Sequence, residues 1–359
     1  MKIGILTFHL VPNYGAALQA FALMEYLRQK GHEVSIIDYR CPGNDGFSPS
    51  RIFSKKIVSY RIKYIAHYVL SNLLSKKTYC QKYIAFCKFW EGKYVLSSLD
   101  KDSFDAVFCG SDQIWNPSIT KGLDKTFFGL HDAVVFSKKI AYAASCGDVN
   151  SLSLEDKELL VSYVRRMDAV SIREKPLNDL LVKKGIDSEV VLDPSFLLSK
   201  DDYIKHFYDG RFNNQDYILV YELHKVPSIP LIAKAVAKQK NLKIVYVCGY
   251  QKMTFFCHNH VYSAGPVEFI NYIAKAKYVV TNSFHGLAFS LIFEKDFNVC
   301  LPKVRKERLT NLLDSVGLLD RIVAKVDSIN TTSIDYNQVN QKKKALIDIS
   351  KMFIDKVLV

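Results

Sequence analysis

Residues 1–40 read MKIGILTFHL VPNYGAALQA FALMEYLRQK GHEVSIIDYR, and three elements can be marked on them by pattern alone. Lys2 to Phe8 is a short, nearly unbroken apolar run, the mark of a strand covered on both faces. A polar loop, HLVPNYG, follows it. From Ala16 to Lys30 the apolar residues Leu18, Phe21, Ala22, Met24 and Leu27 recur at helical spacing, and Gly31 supplies a helix stop. Glu33 to Tyr39 is apolar again. Strand, helix and strand in this order form a β-α-β unit, the building block of a parallel sheet with right-handed crossovers.

The same alternation continues outward. Asp105–Cys109, Lys139–Ala143, Ala169–Ile172 and Val190–Leu192 read as further buried strands. A second series starts near residue 215, with strands Tyr217–Glu222, Lys243–Cys248, Tyr278–Thr281 and Phe297–Val299. Its helices are Leu231–Gln239, Pro266–Lys275 and Phe284–Phe293. Two successive series in 359 residues predict an α/β protein of two Rossmann-like domains facing a cleft. The first takes residues 1–200 and the second 201–335, with the polar stretch Ser199–Asp216 as linker. Residues 336–359 read as a closing helix that packs back on the first domain.

Residues 51–93 interrupt the alternation. Ten Lys and Arg stand against one acid, Glu91, a net of +9 out of +13 for the whole chain. Aromatics are interleaved, and Ile57, Tyr60, Tyr64 and Tyr68 share a helical face. This predicts a basic, amphipathic helical insertion in the first domain, suited to an anionic membrane surface or to packing inward on its own aromatics. An excess of positive charge favours an anionic partner without naming it. Nucleic acid ranks last, because the polar loops described below lie outside the basic segment.

The eight cysteines form no CxxC pair, and several sit in apolar runs, so they read as small buried side chains in a reducing compartment rather than as disulfides or a zinc site. The N-terminus lacks a signal peptide's apolar core, and no run of 18 apolar residues is present. The expected location is the cytoplasm, with the inner face of its membrane as a peripheral site. No GxGxxG follows the first strand, and GxxxxGK[ST], GxSxG and HExxH are missing. These gaps disfavour nicotinamide or flavin cofactors, P-loop kinases, elbow hydrolases and zinc proteases.

Ligands of open α/β sheets bind beyond the carboxyl ends of the strands. Three such loops are rich in polar residues: Asn13, Tyr14 and Gly15 after the first strand; Ser111, Asp112 and Gln113, with Asn116 beyond, after the Asp105 strand; and Asn282, Ser283 and His285 after the Tyr278 strand. The last opens a helix, whose free N–H groups favour an anion. His285 in its first turn can handle a proton beside that anion; taken in isolation it reads more readily as a packed histidine behind a cap. Arg173, in VSIREK, stands at a strand end where a guanidinium can grip a carboxylate or phosphate, or else pair with Glu174 at the surface. Arg308, before the apolar helix Leu309–Val316, is the second candidate cation, ahead of Arg305.

Taken in order, NYGAALQAFAL, GSDQIWN, SIRE, VLDPSFLL and TNSFHGLAFSLIF resemble the bacterial polysaccharide pyruvyl transferase family over roughly residues 3–320. The resemblance implies a GT-B-like arrangement, with the first domain on the acceptor side. It implies phosphoenolpyruvate as donor substrate, no cofactor and no metal, and a lipid-linked or free glycan as acceptor, carrying the product as a cyclic ketal. Arg173 and His285 match the family's strand-end arginine and cleft histidine. Ser283 stands where relatives carry an arginine, so one anion contact must come from elsewhere. An ordinary sugar-nucleotide glycosyltransferase is the alternative on the same architecture.

Overall fold

The computed structural model describes residues 1–41, 80–99, 102–131, 134, 136–208, 210, 216–248, 257–302 and 306–359. The basic run 51–79 and residues 303–305, including Arg305, lie outside them.

The first sheet has seven strands in the order β3-β2-β1-β4-β5-β6-β7. They are β1 Lys2–Leu6, β2 Glu33–Ile37, β3 Leu96–Ser97, β4 Ala106–Cys109, β5 Lys139–Ala144, β6 Ala169–Ile172 and β7 Glu189–Val190. Every pairing is parallel. The order reverses between β1 and β4, where Leu6 lies beside Cys109. The second sheet runs β10-β9-β8-β11-β12, again all parallel. Its strands are β8 Tyr217–Glu222, β9 Lys243–Cys248, β10 Asn259–Val261, β11 Tyr278–Thr281 and β12 Asp296–Val299, and the order reverses between β8 and β11. In such sheets the crevice at the reversal is the binding position. This chain has two, and they face each other.

The helices that matter for the site are α1 Tyr14–Gln29, the described part of α2 at residues 80–93, α3 Pro117–Thr120, α4 Leu154–Val164, α5 Lys175–Lys183, α6 Lys200–Phe207, α7 Ile229–Lys240, α8 Pro266–Lys275, α9 Phe284–Ile292, α10 Glu307–Val316 and α11 Tyr336–Val357. One continuous apolar cluster joins α1 and the first sheet to α8, α9 and α10. Burial of that cluster holds the two sheets in one body. Tyr14 is its clearest stitch: the ring lies parallel on Phe269 at 4.4 Å and on Phe86 at 5.4 Å, and its hydroxyl donates to the Ala264 carbonyl at 2.8 Å. α11 crosses from the second domain to the first. There Ser350 Oγ accepts from Leu192 N at 2.9 Å, Phe353 meets Tyr142 at 6.2 Å, and Asp355 pairs with Lys30 at 2.8 Å.

One region differs from the sequence expectation, and in another the described residues follow one of the two readings left open. The stretch expected as linker contains α6, closed by a capping box in which Asp202 N donates to Ser199 Oγ at 3.1 Å and Ser199 N to Asp202 Oδ2 at 2.8 Å. Tyr203 and Phe207 bury it between the sheets, since two apolar residues four apart suffice to anchor so short a helix. In the insertion, the described residues Phe86, Phe89 and Trp90 pack inward, while Lys88 stays exposed. Ala85 of α2 lies against Gly265, so this helix also touches the second domain.

Candidate functional site

β1 delivers the loop that ends in Asn13, whose side chain accepts from Gly15 N at 2.9 Å and Ala16 N at 3.4 Å and so caps α1. Gly15 is there for want of a side chain: a Cβ on it would lie 2.0 Å from His285 Nδ1. The imidazole, carried by the first turn of α9, therefore lies directly on the start of α1. Across the cleft, Ser283 caps α9 through a 3.4 Å bond from Gly286 N. Asn282 is buried, accepts from Leu223 N at 2.8 Å and donates to the His224 carbonyl, which binds the β11 loop to the β8 loop.

β4 delivers Gly110, Ser111, Asp112 and Gln113. A Cβ on Gly110, at φ +126°, would strike the Tyr142 carbonyl at 2.2 Å, so the loop folds flat against β5. Gln113 and Asn116 hold each other at 2.7 Å, and Asn116 also caps α3. Ser111 points the other way, to the centre of the site.

That centre is Asp193, fully buried in the turn after β7. Its Oδ1 accepts from Ser195 N at 3.0 Å and Ser195 Oγ at 2.7 Å. Its Oδ2 accepts from Arg173 Nη1 at 3.0 Å and Ser111 Oγ at 3.4 Å, and lies 3.6 Å from His285 Nε2. The last is an ion-pair distance rather than a hydrogen bond, and Nε2 has no hydrogen-bond partner. Arg173, at the end of β6, also donates from Nε to Glu174 at 3.1 Å. That pair is buried, not a surface pair. Burial alone would raise the Asp193 carboxyl; His285 and Arg173 outweigh it and hold the acid well below its ordinary value. Burial likewise works against the Arg173 charge, but Glu174, Asp193 and Asp112 together strengthen it.

Three buried polar atoms here have no partner: Arg173 Nη2, Glu174 Oε2 and His285 Nε2. Buried polar groups are nearly always satisfied, so three orphans on side chains gathered around Asp193 mark a place for a ligand. Phe284 closes one side, with the Arg173 guanidinium carbon 5.5 Å and that of Arg308 5.8 Å from its ring centroid. Asp112 sits at the edge, 4.0 Å from Arg173 Nη2. Among the described residues no group of three or more His, Cys, Asp or Glu is arranged to hold a metal ion.

The structure thus gathers Arg173, His285, Ser111 and Asp112, with Arg308 beside them. Asn13, Gly15, Asn282 and Ser283 shape the two loops, Tyr14 joins the domains, and Gln113 and Asn116 stiffen the β4 loop. Sequence reasoning gave no site role to Asp193 or to Gln19, which donates to Thr7 Oγ1 at 3.0 Å and accepts from Ser111 N at 3.3 Å. A lone carboxylate in the apolar run VVLDPSFLL was the available sign for Asp193.

A family model described as polysaccharide pyruvyl transferase matches residues 13–301, which contain Ser111, Asp112, Arg173, Glu174, Asp193 and His285 but not Arg308. The chain belongs to the polysaccharide pyruvyl transferase family. It is therefore a member of an enzyme family, and the five segments named from sequence are the walls of this one cleft. No curated protein sequence matches the chain. Among solved structures, a UDP-N-acetylglucosamine 2-epimerase is 11% identical with a TM-score of 0.53, over 99% of this chain and 95% of that one. The S. aureus MnaA-UDP co-structure is 15% identical with a TM-score of 0.46, covering 98% and 89%. The E. coli heptosyltransferase WaaC with ADP is 11% identical with a TM-score of 0.39, covering 98% and 100%. The first shares the GT-B-like pairing of two parallel sheets; at its identity the likeness is one of fold.

Proposed function

We propose that the enzyme transfers the pyruvyl group of phosphoenolpyruvate to two hydroxyls of a sugar in a surface-polysaccharide precursor, forming a cyclic ketal and releasing phosphate. The observation that carries this reading is the pair of orphaned donors, Arg173 Nη2 at the end of β6 and His285 Nε2 at the head of α9. Phosphoenolpyruvate brings a carboxylate and a phosphate, and the site offers Arg173, the α9 N-terminus and Arg308 to receive them. His285, oriented by Asp193, gives a proton to the methylene carbon, which makes C2 electrophilic. One sugar hydroxyl adds to C2, the C2–O bond to phosphate breaks, and the second hydroxyl closes the ring. Of the two hydroxyl protons, one ends on the new methyl group by way of His285 and the other on phosphate. Positive charge already in place at the departing phosphate lowers the barrier without reorganisation.

The test is incubation with phosphoenolpyruvate and lipid-linked glycans, reading phosphate release together with mass gain of the acceptor. Transfer from a nucleotide sugar with phosphoenolpyruvate left untouched would replace this reading by glycosyl transfer. No helix among the described residues is long and apolar enough to cross a membrane. For a lipid-linked acceptor, the basic segment 51–93 suits reversible docking on anionic lipid, at about 1 kcal/mol per basic side chain near the surface. Co-sedimentation with anionic liposomes that persists after Lys55, Lys56, Lys76 and Lys77 are changed to Glu would remove that role.

A further inference from the structure

Lys82 is a cation near the domain junction that the mechanism above leaves unused. It projects from α2 over the aromatic stitch between the domains, with Nζ 4.7 Å from the Tyr14 ring centroid and 6.0 Å from that of Phe86. Among the described residues no carboxylate lies within ion-pair distance of it, whereas Arg173 has three. Tyr14 precedes Gly15, on which the His285 ring lies, and meets Tyr221 at 5.7 Å. Tyr221 in turn borders Gly286 in the first turn of α9. Lys82 is thus linked, through Tyr14 and Tyr221, to the helix start that carries His285.

A partly buried ammonium held on two ring faces without an acid is stabilised by cation–π attraction but not neutralised. Arg173, by contrast, is already committed to three of the chain's own carboxylates, Glu174, Asp193 and Asp112. We infer that Lys82 binds a substrate oxyanion, a phosphoryl or carboxylate group, at the mouth of the site. This deepens the pyruvyl-transfer reading and rests on it for the identity of the anion's owner: the phosphate or carboxylate of the donor, or the diphosphate of a lipid-linked acceptor.

The first measurement does not depend on turnover. Equilibrium dialysis with radiolabelled inorganic phosphate compares the wild-type chain with Lys82→Gln and Lys82→Arg. Losing one charge-assisted hydrogen bond should weaken phosphate about tenfold in Lys82→Gln, and Lys82→Arg should stay within about threefold of wild type. Equal phosphate affinity in wild type and Lys82→Gln overturns the inference, whatever the reaction proves to be. Kinetics then identify the owner. A raised KM for phosphoenolpyruvate assigns the donor; a raised KM for diphosphate-linked glycan, with none for the dephosphorylated glycan, assigns the acceptor. Wild-type turnover of phosphoenolpyruvate with both KM values unchanged in Lys82→Gln sinks the inference and spares the reaction; no wild-type turnover sinks the reaction alone.

The pH dependence gives an independent arm. Burial pushes the Lys82 ammonium down to about 8, with Cys248 at the end of β9 acting weakly the other way. The positive charge is thus lost as pH rises through about 8, and wild-type phosphate affinity should fall there. Tyr14 faces this spot too, its hydroxyl pushed well above its usual value by burial, with Tyr221, Cys248, Glu268 of α8 and Tyr272 adding to that rise. Lys82→Arg should remove the fall, and Cys248→Ser should keep it; a fall that survives in Lys82→Arg refutes the assignment.

Discussion

Replacing Asp193 by Asn tests the centre of the site, because it changes one atom and almost no volume. Oδ1 can still accept from Ser195 N and Oγ. The other side then presents an NH2 group to Arg173 Nη1, 3.0 Å away, so a donor faces a donor. Breaking a buried ion pair from one side costs about 3–5 kcal/mol, and we take about 3 because Arg173 keeps Glu174. At about 2 °C per kcal/mol that lowers the melting temperature by about 6 °C at pH 7. The sign with pH follows from the direction of the shift. An acid held below its ordinary value stabilises the fold above about pH 4 and loses that contribution as pH falls further. The gap between wild type and variant should therefore narrow below pH 4. The variant also removes the anion that orients His285, so kcat for phosphate release should fall about 100-fold, the lower end for a general acid. Scanning fluorimetry at pH 7 and pH 3.5 reads the first effect and steady-state phosphate release the second. Melting within about 1 °C of wild type at pH 7, with kcat within about threefold, would place Asp193 outside the machinery.

His285→Gln should abolish detectable turnover, at least about 100-fold, with an unchanged circular dichroism spectrum; near-normal phosphate release would remove the imidazole from the proton step. Arg173→Lys keeps a charge but loses the fork that serves Glu174 and Asp193 together, so the KM for phosphoenolpyruvate should rise about tenfold or more, and an unchanged KM would make Arg173 purely structural. Gly15→Ala places a methyl group against the His285 ring and should displace it, lowering kcat by about 10- to 100-fold. Full activity in that variant would mean the ring is free to move and is not held by α1.

The fold was readable because each β-α-β unit announces itself locally: strands covered on both faces leave unbroken apolar runs such as Tyr217–Val220, and the helices between them carry a one-sided stripe. What escaped was what local pattern does not encode. β3 has two residues and β10 three, too few for any periodicity. α6 looked like a linker because its apolar residues are only Tyr203, Ile204 and Phe207 among acids and lysines, and a partner across the interface decides their burial. In the site, His285 and Arg173 were visible because a strand end followed by a helix is a known position for chemistry. Asp193 was not, because its value depends on Arg173, 20 residues away, and on His285, which lies in the other domain. Residues 51–79 remain a statement about composition.

The crossing of α11 sets the order in which the molecule can be completed. Lys30 and Asp355 are 325 positions apart, and Tyr142 waits for Phe353, so part of the first domain's covering is made only after the whole second domain has left the ribosome. Until then the flank of α1 and the turn at Leu192, one residue from Asp193, stay open to water. A nascent chain halted before residue 336 should hold both sheets yet carry a loosened acid, and it would engage chaperones through that bare strip rather than through an unfolded domain. Ordering of the turn beside Asp193 is thereby tied to the docking of a helix that follows the whole second domain, a dependence supplied by topology alone.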